Sequence, residues 1–144
     1  MSESSLFIQK LNLLPHPEGG FYQESYRSEH STGIYYLLQK GEKSRLHRIK
    51  SDEMWHFYAG DSLMVVELLE DGAVQETRLG PDRFQHVVPA NRWFGAYLPE
   101  GSEFALVGCT VAPAFRFEDF ELAKKEDLLA SHPSARNIIN RLIS

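Results

Sequence analysis

The chain has 144 residues, a formal net charge of −5 and a sequence pI of about 5.7. This length fits one domain that can bury roughly 70% of its unfolded surface. A chain with this net negative charge lacks the excess of basic residues that is typical of proteins that bind nucleic acid or an anionic membrane. No apolar run approaches the ~20 residues of a membrane-spanning helix.

Two further features bear on location. The N-terminal residues Met1 to Ser5 lack the basic start and apolar core of a signal peptide. Cys109 is the only cysteine, so no internal disulfide can form. We therefore expect a cytoplasmic protein with a single domain over residues 1–144, and neither nucleic acid nor membrane as a partner.

Short strands separated by turn signals dominate the chain. Asp71-Gly72 is the strongest hairpin signal, because this pair favours the tight turns that join neighbouring strands. Evenly spaced strands without intervening helices indicate a sandwich or a barrel, and a jelly roll fits their number. Segments rich in β-branched and aromatic residues predict strands at 21–27, 34–38, 44–49, 54–58, 63–69, 74–79, 85–88, 93–98 and 104–111.

Both ends of the chain differ from this pattern. Residues 5–13 predict a short amphipathic helix that ends before Pro15. Residues 120–129 and 134–143 have helical spacing of apolar side chains, and the acidic residues 118–121 suit the start of the first of these helices. We expect a barrel over about 20–117 and a helical tail over about 118–144.

The segment from Gly41 to Gly60 carries the most informative spacing. Side chains alternate along a strand, so His47 and Ile49 face the same side. With Glu53 following and a second imidazole at position 49, such a segment would form one wall of a barrel metal site. An isoleucine occupies that position instead.

This segment belongs to a series of blocks that runs through most of the chain, over roughly residues 6–125. The series resembles the cupin superfamily, in the subfamily usually described as a domain of unknown function and sometimes as a predicted sugar epimerase. The resemblance implies an all-β fold, the cupin double-stranded β-helix or jelly-roll barrel, with short N-terminal and C-terminal helices. The blocks are HPEGGFY (16–22), YRS (26–28), IYYLL (34–38), SRLHR (44–48), SDEMWHFYAG (51–60), VPANRW (88–93), VGCTVAP (107–113) and DFELA (119–123).

The resemblance also implies what a metal site would need. Metal-binding cupins take two histidines and a glutamate from the first motif and a third histidine from the second. Ile49 replaces one of these ligands here, and Phe94, or Trp93 if the register slips by one, replaces another. His47 and Glu53 remain, against the three protein ligands usual in catalytic sites. We expect no metal and no other cofactor.

His56 is the residue that could restore a third ligand. On a regular strand it faces away from Glu53, so a bulge would be required. A metal-dependent enzyme with such an unusual ligand set, a dioxygenase or an isomerase, therefore stays open as an alternative.

The resemblance to sugar epimerases implies acid–base chemistry without a metal. A histidine removes a proton next to a carbonyl group, and a tyrosine returns a proton from the other face. His47 with Glu53 would form the base and its orienting carboxylate, and Tyr36 or Tyr22 would be the acid.

Further polar residues of the blocks are candidate ligand-binding groups. Arg27, Arg45 or Arg92 would stabilise an enolate or bind a phosphate or carboxylate through forked hydrogen bonds. The other candidates are Glu18, Tyr22, Ser44, His56 and Trp93.

Several of these residues also have purely structural interpretations. His47 could be a half-buried strand histidine bonded to Glu53, since ion pairs in structural networks perturb such groups too. Trp93 and Phe94 suit a core or a pocket wall, and the apolar surroundings of Cys109 predict a buried, inert thiol.

The functional hypotheses belong to different classes. The first is a metal-independent epimerase or isomerase that acts on a sugar or a nucleotide-sugar-like metabolite. The second is a non-catalytic protein that holds a small polar metabolite in the barrel. We also expect a homodimer, because pairing would cover exposed sheet edges, with strand 21–27 or its neighbours exchanged between chains.

Overall fold

The computed structural model describes residues 2–143. Its helices are α1 (Glu3–Lys10), α2 (Lys125–Ser131) and α3 (Arg136–Leu142). Its strands are β1 (Leu14–Pro15), β2 (Phe21–Arg27), β3 (Thr32–Gln39), β4 (Lys43–Arg48), β5 (Asp52–Gly60), β6 (Leu63–Leu68), β7 (Val74–Leu79), β8 (Gln85–Val88), β9 (Trp93–Tyr97), β10 (Phe104–Ala112) and β11 (Glu121–Leu122).

The strands form two antiparallel sheets. The larger sheet has the order β1-β2-β3-β10-β5-β8, and the smaller sheet has the order β11-β4-β9-β6-β7. The chain passes repeatedly from one sheet to the other, as in a jelly roll. This confirms the all-β fold with short terminal helices.

Alternation of side chains along the strands places three apolar clusters. Along β10, Val107 and Cys109 join the cluster between the two sheets, whereas Leu106 points outward to the cluster under α1. The third cluster lies between the smaller sheet and the helices α2 and α3. The core between the sheets includes the fully buried rings of Trp55 and Phe94.

The nine predicted strands are all present, with bounds that differ by at most two residues. The predicted Asp71-Gly72 hairpin is also confirmed: it joins β6 to β7, and the Ala73 amide donates to Asp71 Oδ1 at 2.9 Å. Strand β2 pairs with β3 of the same chain. Its exchange between two chains stays a prediction.

The helix expected over 120–129 is wrong at its N-terminal end, because α2 begins only at Lys125. The preceding residues form a 3-10 turn, Phe117–Asp119, and the short strand β11. Strand β11 pairs with β4, and Phe120 packs against the core between the sheets. These contacts outweigh the local helical preference of the acidic residues 118–121.

A network of charged residues closes the space between β6, β8 and the start of β9. Glu67 is fully buried, and its Oε2 lies 2.7 Å from His86 Nε2. Arg92 Nη1 donates to Glu67 Oε1 at 3.0 Å, and Gln75 Nε2 donates to Oε2 at 3.2 Å. The pKa of Glu67 is lowered, because the hydrogen bonds from His86 and Arg92 outweigh the cost of burial. Both carboxylate oxygens are thus satisfied.

None of the helices in residues 2–143 is long and apolar enough to cross a membrane.

The Glu67 network predicts the effect of removing its cation. Arg92→Met leaves the buried Glu67 carboxylate without its guanidinium donor and should lower the free energy of unfolding by about 2 kcal/mol. Urea denaturation measures this loss, with the exposed Arg83→Met as the matched control, which should stay within about 0.5 kcal/mol of the native chain. Equal losses in the two variants would show that the network contributes nothing specific.

Candidate functional site

A cavity of about 280 Å³ opens between the two sheets. Its polar lining consists of His16, Glu18, Gln23, Glu24, Thr32, His47, Glu53 and Cys109. Its apolar lining consists of Leu14, Tyr22, Ile34, Ile49, Val111, Phe115, Phe117 and Phe120. A deep set of titratable groups inside an apolar wall is typical of small-molecule sites.

The loop 16–20 places Glu18 in the cavity. The Gly19 amide donates to the His16 carbonyl at 3.0 Å, and the Glu18 carbonyl accepts from the Arg45 amide on β4 at 2.8 Å. Gly19 has φ +113°, and a Cβ there would lie 2.0 Å from the Lys43 carbonyl oxygen. Only glycine allows the loop to approach β4 this closely.

His47 is held at both ring nitrogens. Its Nδ1 lies 2.7 Å from the Arg45 carbonyl oxygen, which can only accept, so Nδ1 carries a proton. Its Nε2 lies 2.9 Å from Glu18 Oε2, and the His47 side chain is only 3% exposed. Nε2 is therefore the nitrogen available for proton exchange, and Glu18 is its partner.

Glu18 and His47 shift each other's pKa in opposite directions. Burial lowers the pKa of His47, but the charge of Glu18 and its hydrogen bond outweigh burial, so the pKa is raised. Burial raises the pKa of Glu18, but His47 outweighs this, and the pKa is lowered. The pair is thus an imidazolium and a carboxylate at pH values below the raised pKa of His47.

The pKa of Glu53 shifts in the direction opposite to that of Glu18. Burial and the neighbouring charge of Glu18 raise the pKa of Glu53 to about 7, although His47 and a hydrogen bond with Cys109 act against this rise. The same surroundings raise the pKa of the Cys109 thiol well above its usual value. The cavity therefore holds one ionised carboxylate and one that gains or loses a proton near neutral pH.

His16 completes the polar group as a neutral imidazole. Its Nδ1 accepts the Glu18 amide at 3.1 Å, and its ring packs edge-on against Tyr22 at 4.5 Å. Burial lowers the pKa of His16, and the charge of His47 adds to this shift while that of Glu18 opposes it.

The segment 113–122, which we call the strap, forms the outer wall of the cavity. Thr32 Oγ1 accepts the Phe115 amide at 3.0 Å, and Ser51 Oγ donates to the Pro113 carbonyl at 2.8 Å. The ring of Phe120 stacks on His47 at 5.3 Å. Phe117 is 57% exposed at the mouth, so the strap presents an apolar rim.

The three candidate arginines all lie outside the cavity lining. Arg27 forms a bidentate pair with Glu24 and donates from Nη1 to the Phe115 carbonyl at 3.0 Å. Arg45 donates to the backbone carbonyls of Pro17 and Glu18. Arg92 belongs to the Glu67 network described above. Each guanidinium is engaged in holding the structure, and none is placed to bind an anion in the cavity.

The remaining candidates divide between the core and the outer surface. Tyr36 is buried and donates from its hydroxyl to the Gly19 carbonyl at 2.5 Å, and burial raises its pKa well above the usual value. Ser44 is buried, and its Oγ has no hydrogen-bond partner among residues 2–143. Neither lines the cavity, whereas Tyr22 does.

His56 and Trp93 point away from the cavity. His56 Nε2 lies 2.9 Å from Thr110 Oγ1 on the outer face of the larger sheet. The guanidinium of Arg48 lies 4.3 Å above the Trp93 ring, which packs toward α2 and α3. Phe94 instead points inward, 4.2 Å from the His47 ring.

These contacts allow a test of whether a metal ion fits. Phe94 occupies the space beside His47 where another ligand would be needed, and Nδ1 of His47 already donates to a carbonyl. Within residues 2–143, no three His, Cys, Asp or Glu side chains are arranged to hold a metal ion. The donor set does not fit the metal site of the cupin fold.

Some lining residues were missed by reasoning from sequence. Spacing paired His47 with Glu53, yet Glu18 is the residue that bonds its Nε2. The HPEGG block contains both Glu18 and His16, and its glycines were the available signal for a loop that enters the cavity. The strap had no comparable signal, because residues 118–122 are helical by pattern and no element is predicted for residues 113–117.

Comparison with known proteins places the chain among related folds. The sequence model of a family described as "Cupin superfamily (DUF985)" matches residues 5–123. The crystal structure of protein SO0799 from Shewanella oneidensis is 40% identical, with a TM-score of 0.93 over 100% of this chain and 99% of that one. A hypothetical protein from Leishmania major is 29% identical, with a TM-score of 0.93 over 99% of both chains.

More distant structures share the fold alone. A variant of oxalate decarboxylase from Bacillus subtilis is 19% identical, with a TM-score of 0.64 over 89% of this chain and 36% of that one. A variant of the Streptomyces protein PAC13, solved with uridine, is 12% identical, with a TM-score of 0.60 over 78% and 83% of the two chains. Among curated proteins, none matches the sequence.

The pairing of Glu18 with His47 predicts a change in titration. Glu18→Gln removes the largest of the interactions that oppose burial, so the pKa of His47 should fall relative to that of the native chain. Imidazole carbon-bound proton shifts followed by NMR between pH 4 and pH 9 measure this pKa. The exposed Glu29→Gln is the control and should leave the His47 curve unchanged. An unchanged curve in Glu18→Gln would mean that Glu18 does not set the charge of His47.

Proposed function

The chain belongs to the cupin superfamily, in the family described as DUF985, and we propose that its cavity binds a small sugar-like metabolite and catalyses a metal-independent epimerisation or isomerisation. The observation that supports this most strongly is the contrast between two carboxylates in one cavity. Glu18 is held ionised by His47, and Glu53 is held protonated up to about pH 7. A base and an acid with separated pKa values are what proton transfer at carbon requires.

The positions of the groups suit transfer on two faces of a substrate. His47 lies on β4 of the smaller sheet, whereas Glu53 lies on β5 of the larger sheet. A molecule between the sheets therefore meets the Glu18–His47 pair on one side and Glu53 on the other. The Glu18 carboxylate accepts the proton next to a carbonyl group while His47 Nε2–H remains its hydrogen-bond donor, and Glu53 supplies a proton to the carbonyl oxygen or to the opposite face of the carbon.

The acid assigned here differs from the tyrosine that the sequence suggested first. The Tyr36 hydroxyl is engaged by Gly19 and does not reach the cavity. Tyr22 lines the cavity and is the alternative acid. A Tyr22→Phe variant, which removes only the hydroxyl, separates the two assignments.

The aromatic wall supports the binding of a ring. Tyr22 and the three phenylalanines of the strap offer apolar faces above the polar groups, an arrangement that suits the flat or apolar face of a sugar or base. The distant structural relative that was solved with uridine agrees with such a ligand, although the two chains share the fold alone.

Exchange of carbon-bound hydrogen with solvent tests the proposal without a known product. Pentoses, hexoses and their keto forms are incubated with the protein in D2O, and loss of the proton next to the carbonyl is followed by NMR. His47→Ala and Glu18→Gln should each slow exchange by at least about 100-fold, the usual contribution of a general base. The exposed His30→Ala should match the native chain.

Two results would contradict this proposal. Exchange that persists in His47→Ala would remove His47 from the mechanism. Binding without exchange for every sugar would favour the non-catalytic alternative.

The pKa of Glu53 predicts a pH dependence. The protonated acid is required, so the rate of exchange should fall about tenfold per pH unit as pH rises through about 7. Glu53→Gln should be slower and should lose this decline, because glutamine does not titrate. A rate profile measured between pH 5 and pH 9 gives the result. The same decline in Glu53→Gln would assign the acid to another group, with Tyr22 as the next candidate.

A further inference from the structure

The charge distribution of the cavity restricts its ligand beyond the reaction type. We infer that the site takes an uncharged molecule with one ring face and a few hydroxyl or carbonyl groups, and that it excludes phosphorylated and other anionic compounds. This inference rests on the proposed function, because it concerns the ligand of the same cavity.

The first argument is that, among the described residues, the only lining cation is His47, which is already paired with Glu18. Among the described residues that line the cavity there is no lysine and no arginine. Cations on or beside the strap are already paired: Arg116 with Glu118, Lys50 with Asp119 at 3.8 Å and Arg48 with Glu121 at 3.0 Å. Phosphate sites in proteins usually depend on forked arginine contacts or helix N-termini. The arginines that could supply such contacts are engaged elsewhere.

The second argument is the presence of carboxylates. Glu24 at the mouth is balanced by Arg27, and Glu18 inside is balanced by His47. Glu53 has no such partner. It is faced by Glu18 from the loop, by His47 from β4 and by Cys109 from β10, whereas its neighbour on β8 is the uncharged Val88. Above about pH 7, an anion in the cavity would meet the ionised Glu53 as a like charge, in addition to the carboxylate of Glu18.

The third argument is size. A cavity of about 280 Å³ lies at the small end of the ~300–1,000 Å³ range of ligand sites. It suits a single ring with its substituents. A nucleotide sugar would have to place two phosphates at the rim formed by Leu14 and Phe117, which are 60% and 57% exposed and apolar. A free sugar or a lactone satisfies both size and charge.

Thiol labelling tests this inference independently of turnover. Ile34→Cys in a Cys109→Ala background places one half-buried thiol on the cavity wall, and Leu6→Cys in the same background places one on the exposed face of α1. Each thiolate attacks the sulfenyl sulfur of a methanethiosulfonate, forms a mixed disulfide and releases methanesulfinate. The 2-hydroxyethyl and 2-sulfonatoethyl reagents are similar in size and differ in charge.

The ratio of the two labelling rates reports the local preference for a neutral reagent. At pH 8.5 this ratio should be at least about fivefold higher at position 34 than at position 6. At pH 6 the difference between the ratios at positions 34 and 6 should be smaller, because Glu53 is then protonated and uncharged. In a Glu53→Gln background the part of this change that Glu53 causes should be lost, so the ratio should vary less with pH than it does with Glu53 present. Since the thiolate fraction affects both reagents equally, the thiol's own pKa cancels in the ratio.

Unmodified Cys109 provides a second, deeper position for the same measurement, with Cys109→Ala as the blank.

The inference would be overturned if the ratio of neutral to anionic labelling rates were the same at position 34 as at position 6. If the difference between the ratios at positions 34 and 6 were the same at pH 6 and pH 8.5, Glu53 would not be a source of the charge preference. A protein that shows no exchange of sugar protons but keeps the labelling preference would contradict the proposed catalysis and leave the charge preference standing.

Discussion

The buried contact between Glu18 and His47 is the interaction on which the organisation of the site depends. It joins the loop that precedes the larger sheet to β4 of the smaller sheet, and it places two ionisable groups where water is nearly excluded. Breaking a buried pair leaves an uncompensated charge, so each residue requires the other. The raised pKa of His47 stabilises the fold below pH 6.5, and this contribution is lost as pH rises through that pKa. The lowered pKa of Glu18 stabilises it above pH 4.5, and this contribution is lost in acid, so the pair contributes most between these values.

The barrel contains a second buried carboxylate that shows, by contrast, what the cavity can do. Glu67 is satisfied at both oxygens by His86, Arg92 and Gln75, so the network contributes to folding. In the cavity, the negative charge of an ionised Glu53 is only partly compensated, because Glu53 faces the carboxylate of Glu18 and has no cation of its own. This partly compensated charge raises the pKa of Glu53 to about 7, where a carboxyl group can exchange a proton at neutral pH.

Much of the fold could be predicted from the sequence, because alternation and turn residues are local signals. The Asp71-Gly72 hairpin follows from such signals. The inward position of Phe94 is implied by the family resemblance, which leaves Trp93 as the alternative, and the structure places Phe94 beside His47. The site was only partly predictable. Glu18 was a candidate from its position before two glycines, but the pairing with His47 depends on a close approach of two distant segments, which spacing within β4 and β5 cannot reveal. The pattern over residues 118–122 predicts the start of a helix, whereas a 3-10 turn and β11 form there, because packing against the cavity is a tertiary effect that outweighs local propensity.

The nitrogen-15 NMR spectrum of the His47 side chain tests the central claim most directly. It is recorded at pH 6 on the protein as purified and again after addition of one equivalent of iron, manganese or zinc. The account predicts that both ring nitrogens carry protons, with Nε2–H donated to Glu18, and that the metals leave these signals unchanged. An Nε2 without a proton, or one that loses its proton when a metal is added, would contradict the ion pair and identify His47 as a metal ligand instead.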